Sequence, residues 1–419
     1  MEIKIKRLRK RLNAVIKAPS SKSYTNRALV ISALAEGKSV LKNASFSEDS
    51  LRMVKALKEF GIKIFRDKKN LIVYGGISKI ITPRKKIYIG NAGTAMRFLA
   101  GFSAIVKGRT IIDGNARMRQ RPIKDLIDAM NSMGVNAYSL NKNGCPPVAV
   151  EGGNFIGGKC RIKADVSSQF LSSILMVAPY SEKGVEIEIE GKLTSEPYID
   201  MTLDVMKRFG MGAKRRGNII VVKRGKYRSR EYEIEGDFSN ASYFFAAAAI
   251  THGKIRVVNL NPNSAQGDKK FADLLKRMGC RIKKMRDVIE VEGGRLKGID
   301  ADMNKMPDIV PTLAVVAAFA EGKTKIRNVA NLRVKESDRI SSVARELRKI
   351  GAEVMEKKKG MEIMPHKLKG AKIETYNDHR IAMAFSIAGL AVEGIIIKNP
   401  SCVKKSFPGF FEAMKSLYK

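Results

Sequence analysis

Lys22, Arg27, Arg97 and Arg380 fall on or beside segments whose other residues are small and apolar. A cation in such surroundings is costly unless an anion accompanies it. More cations gather in what read as connections: Arg117-Met118-Arg119-Gln120-Arg121-Pro122, Arg333-Val334-Lys335-Glu336-Ser337-Asp338-Arg339, and Lys404-Lys405. Runs of this kind ordinarily form solvated faces, and that is the expectation for Arg117 and Arg119. Convergence of several such groups would instead hold phosphate and carboxylate, which charge-assisted hydrogen bonds bind well.

The polar residues beside these cations point the same way. They are Ser21-Lys22-Ser23, Asn91-Ala92-Gly93-Thr94, Ser167-Ser168-Gln169, Ser239-Asn240-Ala241-Ser242, Pro307-Asp308 and Asn377-Asp378-His379-Arg380. Ser, Thr, Asn and Asp are ordinary helix caps. Helix starts also carry unpaired N–H groups and a partial positive charge, so they attract anions.

The elements that place these groups recur. Each polar start opens an alanine-rich, apolar helix that stops at a glycine and runs into a strand. The stop glycines are Gly37, Gly108, Gly184, Gly253, Gly322 and Gly394, with successive gaps of 71, 76, 69, 69 and 72 residues. A second, amphipathic class of helix follows each one and ends at Gly61, Gly134, Gly210, Gly279 or Gly351, the sixth ending with the chain. Helices apolar all round belong inside and those with a charged face outside. Six units of about seventy residues divide as three plus three, with a crossing near Glu235-Gly236-Asp237 and a ligand cleft expected between two lobes.

The 419 residues suffice for two cores. The longest apolar runs, such as residues 309–320, fall short of the roughly 20 residues of a membrane span, and the basic start MEIKIKRLRKRLNAVIK lacks the apolar block of a secretion signal. A cytosolic protein with no membrane partner is expected. The four cysteines and three histidines have no ligand-like spacing, so no protein-built metal site is expected. A net charge of +38 steers anions of any kind towards the chain and does not choose among them.

The motifs APSSKSYTNRAL, GNAGTAMRFLAG, RQRPIKDL, SSQFLSSIL, LTSEPYID, MPDIVPTLA, NLRVKESDR, NDHRIAMAF and KKSFPGFF run in order from Lys17 to Phe411. In them the chain closely resembles the 5-enolpyruvylshikimate-3-phosphate synthase (3-phosphoshikimate 1-carboxyvinyltransferase) family. The resemblance implies an α/β fold of two similar lobes, each of three βαβαββ repeats with buried inner helices, an inside-out barrel. It places residues 17–236 in one lobe and 1–16 with 237–419 in the other. It implies transfer of the enolpyruvyl group of phosphoenolpyruvate to the 5-hydroxyl of shikimate 3-phosphate, with release of phosphate, in the route to aromatic amino acids. No cofactor or metal and a monomeric chain are implied.

By the same resemblance, Lys22, Ser23, Arg27, Ser167, Ser168, Gln169, Ser195, Tyr198, Asp308, Asn331 and Lys335 hold shikimate 3-phosphate. Lys22, Asn91, Gly93, Thr94, Arg121, Gln169, Arg339, Arg380 and Lys405 hold phosphoenolpyruvate. Asp308 is the expected proton acceptor and Glu336 the expected methylene acid, with Lys22 a helper; His379 orients a neighbour. From the residues alone, Asp308 reads as a helix cap and Glu336 as an ion-pair partner of Lys335 or Arg339. Asn240 and Glu196 depart from the family pattern. Two rivals stand beside this reading. One is a sister transferase acting on a UDP-amino sugar, disfavoured because no cysteine lies in Arg117–Arg121. The other is an RNA-binding or RNA-end-processing protein, disfavoured by 7% aromatic content and no nucleic-acid module.

Overall fold

The computed structural model describes residues 1–418, and the chain divides into two compact units. One is Ser20–Ile234; the other joins Met1–Pro19 to the chain from Glu235 onward. The six inner helices are Lys22–Leu34, Gly93–Ser103, Ser168–Val177, Phe238–Ile250, Val310–Ala317 and His379–Ala388. Phe238–Ile250 and His379–Ala388 are buried at every residue. With apolar side chains on all faces, only a site enclosed by other elements spares them contact with water. The outer helices, such as Glu48–Glu59 and Arg339–Lys349, bury one face and expose the other.

Four of the six sheets share one plan: the strand before an inner helix pairs parallel with the strand after it, as Ile87–Tyr88 does with Gly108–Asp113. Two antiparallel strands complete the sheet, here Val148–Gly152 and Asn136–Ser139, and one completes the sixth. The first and fourth sheets exchange their leading strands. Glu231–Glu233 pairs with Gly37–Lys42 in one unit, while Asn13–Lys17 pairs with Lys254–Val258 in the other. Glu2–Lys4 takes an edge of the sixth sheet, against Ile396–Lys398. Those last two pairings are why residues 1–19 belong with the second half.

Buried inner helices under sheets match the sequence expectation. Among the described residues the strands form six separate sheets, five of four strands and one of three, because each sheet ends at edge strands.

The glycines that end the outer helices, Gly61, Gly134, Gly210, Gly279 and Gly351, have φ between 87° and 111°, the left-handed stop that glycine adopts at low cost. The fourth inner helix departs from its siblings. His252 takes the left-handed turn (φ 52°). Gly253 is small for another reason: a Cβ there would lie 2.5 Å from Leu12 Cβ, where the incoming N-terminal strand passes.

Candidate active site

The Ser20–Ile234 unit holds the starts of three inner helices. Ser21 caps the first, its Oγ accepting from Tyr24 N at 3.4 Å. Lys22 follows, and its Nζ pairs with Asp49 Oδ2 at 2.9 Å. One turn on, Arg27 is 1% exposed. Its Nε donates to Thr202 Oγ1 (2.8 Å), Nη1 to the Ser23 carbonyl (3.1 Å), and Nη2 to Ser172 Oγ (3.4 Å) and the Tyr198 carbonyl (2.9 Å). The rings of Phe98 and Tyr198 lie 5.2 and 5.7 Å from the guanidinium carbon. Burial lowers the Arg27 pKa to about 10.

The other two starts are joined by Gln169 Nε2, which donates to Thr94 Oγ1 at 3.0 Å. Ser167 caps its helix through Gln169 N at 3.2 Å, and buried Ser168 begins it. Arg121 Nη1 donates to Asn91 Oδ1 at 3.2 Å and to the Asn91 carbonyl at 3.4 Å. Gly93 makes room for that guanidinium: a Cβ there would meet Arg121 Nη2 at 2.5 Å. Buried Ser195 takes φ 59°, a left-handed residue just before the helix Pro197–Arg208 that carries Tyr198.

The second unit gathers charge of both signs. Arg339 is 1% exposed and touches three carboxylates: Asp378 through Nε (2.8 Å) and Nη2 (3.3 Å), Asp308 through Nη1 (3.0 Å), and Glu336 through Nη2 (2.7 Å). Arg380 Nη2 reaches the other Asp308 oxygen at 2.7 Å. Lys405 Nζ stands 3.9 Å from Glu336 Oε1. Asp308 is thus clamped by two guanidinium groups. Burial works to raise its pKa, but Arg380, Arg339 and Lys335 overcome that and hold it far below the usual carboxylate range. Burial opposes the charge on Arg339 in the same way, and Asp378, Glu336 and Asp308 more than restore it, so Arg339 stays charged.

Asn331 is buried in the turn Ala330–Val334, with neither side-chain oxygen nor nitrogen hydrogen-bonded. His379 is 1% exposed in the first turn of its helix, its Nδ1 3.5 Å from Asp378 Oδ1.

Each unit therefore brings its own share of the expected residues together. Lys22, Ser23, Arg27 and Tyr198 form one group, Thr94 and Gln169 a second, and Asn91, Gly93 and Arg121 a third. Asp308, Lys335, Glu336, Arg339, Arg380 and Lys405 cluster in the other unit. The bland reading of Glu336 is seen directly in its pair with Arg339, whereas Asp308 has its oxygens on Arg339 and Arg380.

Arg27 is held by hydroxyls and carbonyls, and Arg97 donates to the carbonyls of Gly93 (3.3 Å) and Pro122 (2.9 Å). Neutral acceptors pointing inward suit a delocalised guanidinium. Two expectations need correcting. Arg119 is more than a solvated face, because its Nε and Nη2 fork onto fully buried Asp113 at 3.0 and 2.7 Å. Asn240 does more than replace a hydroxyl, since its Nδ2 donates to the Ser406 carbonyl at 3.5 Å.

Sequence reasoning had Asp378 only among the helix-start residues and gave Asp49 and Asp113 no part. Asp378 does cap its helix, through Arg380 N at 3.0 Å, but it also anchors Arg339 and accepts from Ser337 Oγ at 3.1 Å. A buried arginine in the sequence demands acceptors, but nothing in spacing says which groups supply them.

Fold and donor set define an α/β protein built to hold small molecules that carry phosphate and carboxylate groups. The family model described as EPSP synthase (3-phosphoshikimate 1-carboxyvinyltransferase) matches residues 6–414. A 3-phosphoshikimate 1-carboxyvinyltransferase of Histophilus somni is 44% identical, with 98% of this chain and 97% of that protein covered. One from Methanocaldococcus jannaschii is 43% identical over 97% and 96%. The solved EPSP synthase of Acinetobacter baumannii superposes with a TM-score of 0.83 at 28% identity, covering 99% of this chain and 97% of the other. The chain belongs to the EPSP synthase family.

Proposed function

We propose that this protein transfers the enolpyruvyl group of phosphoenolpyruvate to the 5-hydroxyl of shikimate 3-phosphate and releases inorganic phosphate. The observation that carries this reading is Asp308, an anionic carboxylate held at 3.0 and 2.7 Å by Arg339 and Arg380. Two guanidinium groups already paired to one carboxylate are poised to exchange it for the phosphate or carboxylate of a substrate. That exchange removes the charge that suppresses Asp308, so its basicity rises as substrate arrives.

The chemistry then balances as addition followed by elimination. The 5-hydroxyl oxygen bonds to C2 of phosphoenolpyruvate while its proton passes to Asp308. The incoming anion frees Glu336 from Arg339, Glu336 takes a proton from solvent, and it delivers that proton to the C3 methylene with Lys22 assisting. The adduct next returns a proton from C3 to the Glu336 carboxylate, the C2–O bond to phosphate breaks, and phosphate departs with the proton that Asp308 had taken. Positioned acid and base groups contribute about 10²–10⁴-fold each.

Binding roles follow the family resemblance, supported by the groups that each unit brings together. Asn91, Gly93, Thr94, Arg121, Arg339, Arg380 and Lys405 hold phosphoenolpyruvate. Ser23, Ser167, Ser168, Ser195, Tyr198, Asn331 and Lys335 hold shikimate 3-phosphate, while Lys22 and Gln169 serve both. Arg27, with one Nη1 hydrogen still to give, shapes the first group and offers that hydrogen to substrate. His379 steadies Asp378. The chain acts as a monomer.

Phosphate release from phosphoenolpyruvate, measured with shikimate 3-phosphate or with a UDP-amino sugar, tests the assignment. Release only with shikimate 3-phosphate is expected; release only with the UDP-amino sugar would overturn it.

A further inference from the structure

Asp268 is a buried carboxyl to which the transfer above gives no task. It lies in the turn Gly267–Lys270 and is 3% exposed. Ser239 Oγ donates to its Oδ2, while its Oδ1, also buried, has no hydrogen-bond partner. Ser239 stands in the first turn of Phe238–Ile250. That helix packs against the turn holding Asp268, against the turn Pro307–Ile309 holding Asp308, and against the helix that carries Arg380.

The charges that face Asp268 from these elements are Asp308, Arg380 and Asp237. On the same helix as Ser239, the Tyr243 hydroxyl also lies in the field of Arg380. The neighbouring lysines are turned elsewhere: Lys269 Nζ donates to the Ser264 carbonyl at 2.7 Å, and Lys270 is exposed. Asp273 on the following helix pairs with Lys284 at 2.6 Å. Two carboxyls thus share the field of one guanidinium, and Asp308 is the one bonded to it. Like charges in one poorly solvated neighbourhood do not both ionise cheaply, and the group with fewer donors takes the proton. Burial, and then the charge of Asp308, push Asp268 up to about 7.

We propose that Asp268 is a positioning residue for the Asp308–Arg380 pair. As a neutral acid on Ser239 it leaves Arg380 to an incoming anion; as a carboxylate it competes with that anion. The identity of the anion rests on the transfer reading, but the charge state of Asp268 does not. An anion bound at Arg380 adds to the repulsion that Asp268 feels, so binding takes up a proton near neutral pH. The effect belongs to kcat/KM, which reports the free enzyme, more than to kcat, which reports the loaded one.

Asp268→Asn keeps the shape of the neutral acid and cannot ionise. In the wild type, kcat/KM for phosphoenolpyruvate is expected to fall about tenfold between pH 6.5 and 8.5, with a smaller change in kcat. In Asp268→Asn the kcat/KM profile is expected to be flat across that range. Infrared difference spectra, which need no turnover, are expected to show a protonated-carboxyl band at pH 6 that titrates near pH 7 and is missing from the variant. Should Asp268→Asn fold poorly, Ser239→Ala serves instead. It removes the one donor that favours the carboxylate, so the midpoint should rise. An unchanged limb in Asp268→Asn, or no protonated-carboxyl band in the wild type at pH 6, overturns the proposal. A titrating band in a protein that shows no transfer would fault the transfer reading and leave this one standing.

Discussion

Replacing Gly93 with alanine separates substrate binding from stability more sharply than any other single change. The new Cβ would lie 2.5 Å from Arg121 Nη2 and 2.8 Å from its Cζ and Nη1. Carbon contacts relax at about 3.5 Å or more, so the guanidinium must move by about 1 Å. Its 3.2 Å bond to Asn91 Oδ1 does not survive that shift. The obstacle is the far end of a flexible side chain, Gly93 is not among the residues with positive φ, and alanine favours a helix start. Stability should therefore change by less than about 1 kcal/mol. Affinity should suffer more. One charge-assisted hydrogen bond to an anion is worth about 1.5–3 kcal/mol, which is about 10- to 100-fold in the KM for phosphoenolpyruvate. Steady-state kinetics with each substrate varied in turn, together with a thermal melt, read both quantities. An unchanged phosphoenolpyruvate KM, or a rise confined to shikimate 3-phosphate, would refute the placement of Arg121.

Asp308→Ala should lower kcat by about 10²–10⁴-fold while the KM for phosphoenolpyruvate stays level or falls, because Arg339 and Arg380 lose a competitor for the anion; unchanged kcat would remove Asp308 from proton transfer. Arg27→Ala should destabilise the protein by about 2–4 kcal/mol in urea titrations, since it empties a buried site and removes four hydrogen bonds, to Thr202, Ser172 and the Tyr198 and Ser23 carbonyls. Acid should loosen the loop carrying Arg121. Burial works to raise the Asp113 pKa, but Arg119 and Lys86 lower it from 3.8 to about 2. A depressed carboxylate contributes its stability above the unfolded value and loses it as pH falls through the folded one, so the loss falls between about pH 4 and 2. With Arg119 and Lys86 half-exposed, that contribution is about 1–2 kcal/mol. Acid titrations of the wild type and Asp113→Asn should converge below pH 2, and parallel curves would contradict the sign.

The repeat was legible because two physical habits leave marks in sequence. A helix with no polar face must be buried, and a helix stop needs a left-handed residue. Both marks recur every seventy residues or so, and the structure follows them. Where the marks are not unique, the reading slipped. His252 can take the left-handed turn as glycine does, and Gly253 was small because Leu12 passes beside it. In the site, the basic partners were visible as cations in apolar company. Their acceptors were not, because Asp378 reads as one more cap and Asp49 as an ordinary first-turn acid. Arg27 shows the limit most clearly: nothing in the sequence said that two hydroxyls and two carbonyls would hold its guanidinium.

The central claim is that a hydroxyl adds to C2 of phosphoenolpyruvate and that phosphate leaves by rupture of the C2–O bond. Phosphoenolpyruvate carrying heavy oxygen at the bridge between C2 and phosphorus tests it directly. The account predicts that, after reaction with shikimate 3-phosphate, the label is found in inorganic phosphate. Label recovered in pyruvate or in the organic product would mean that the P–O bond breaks instead, and would contradict the account.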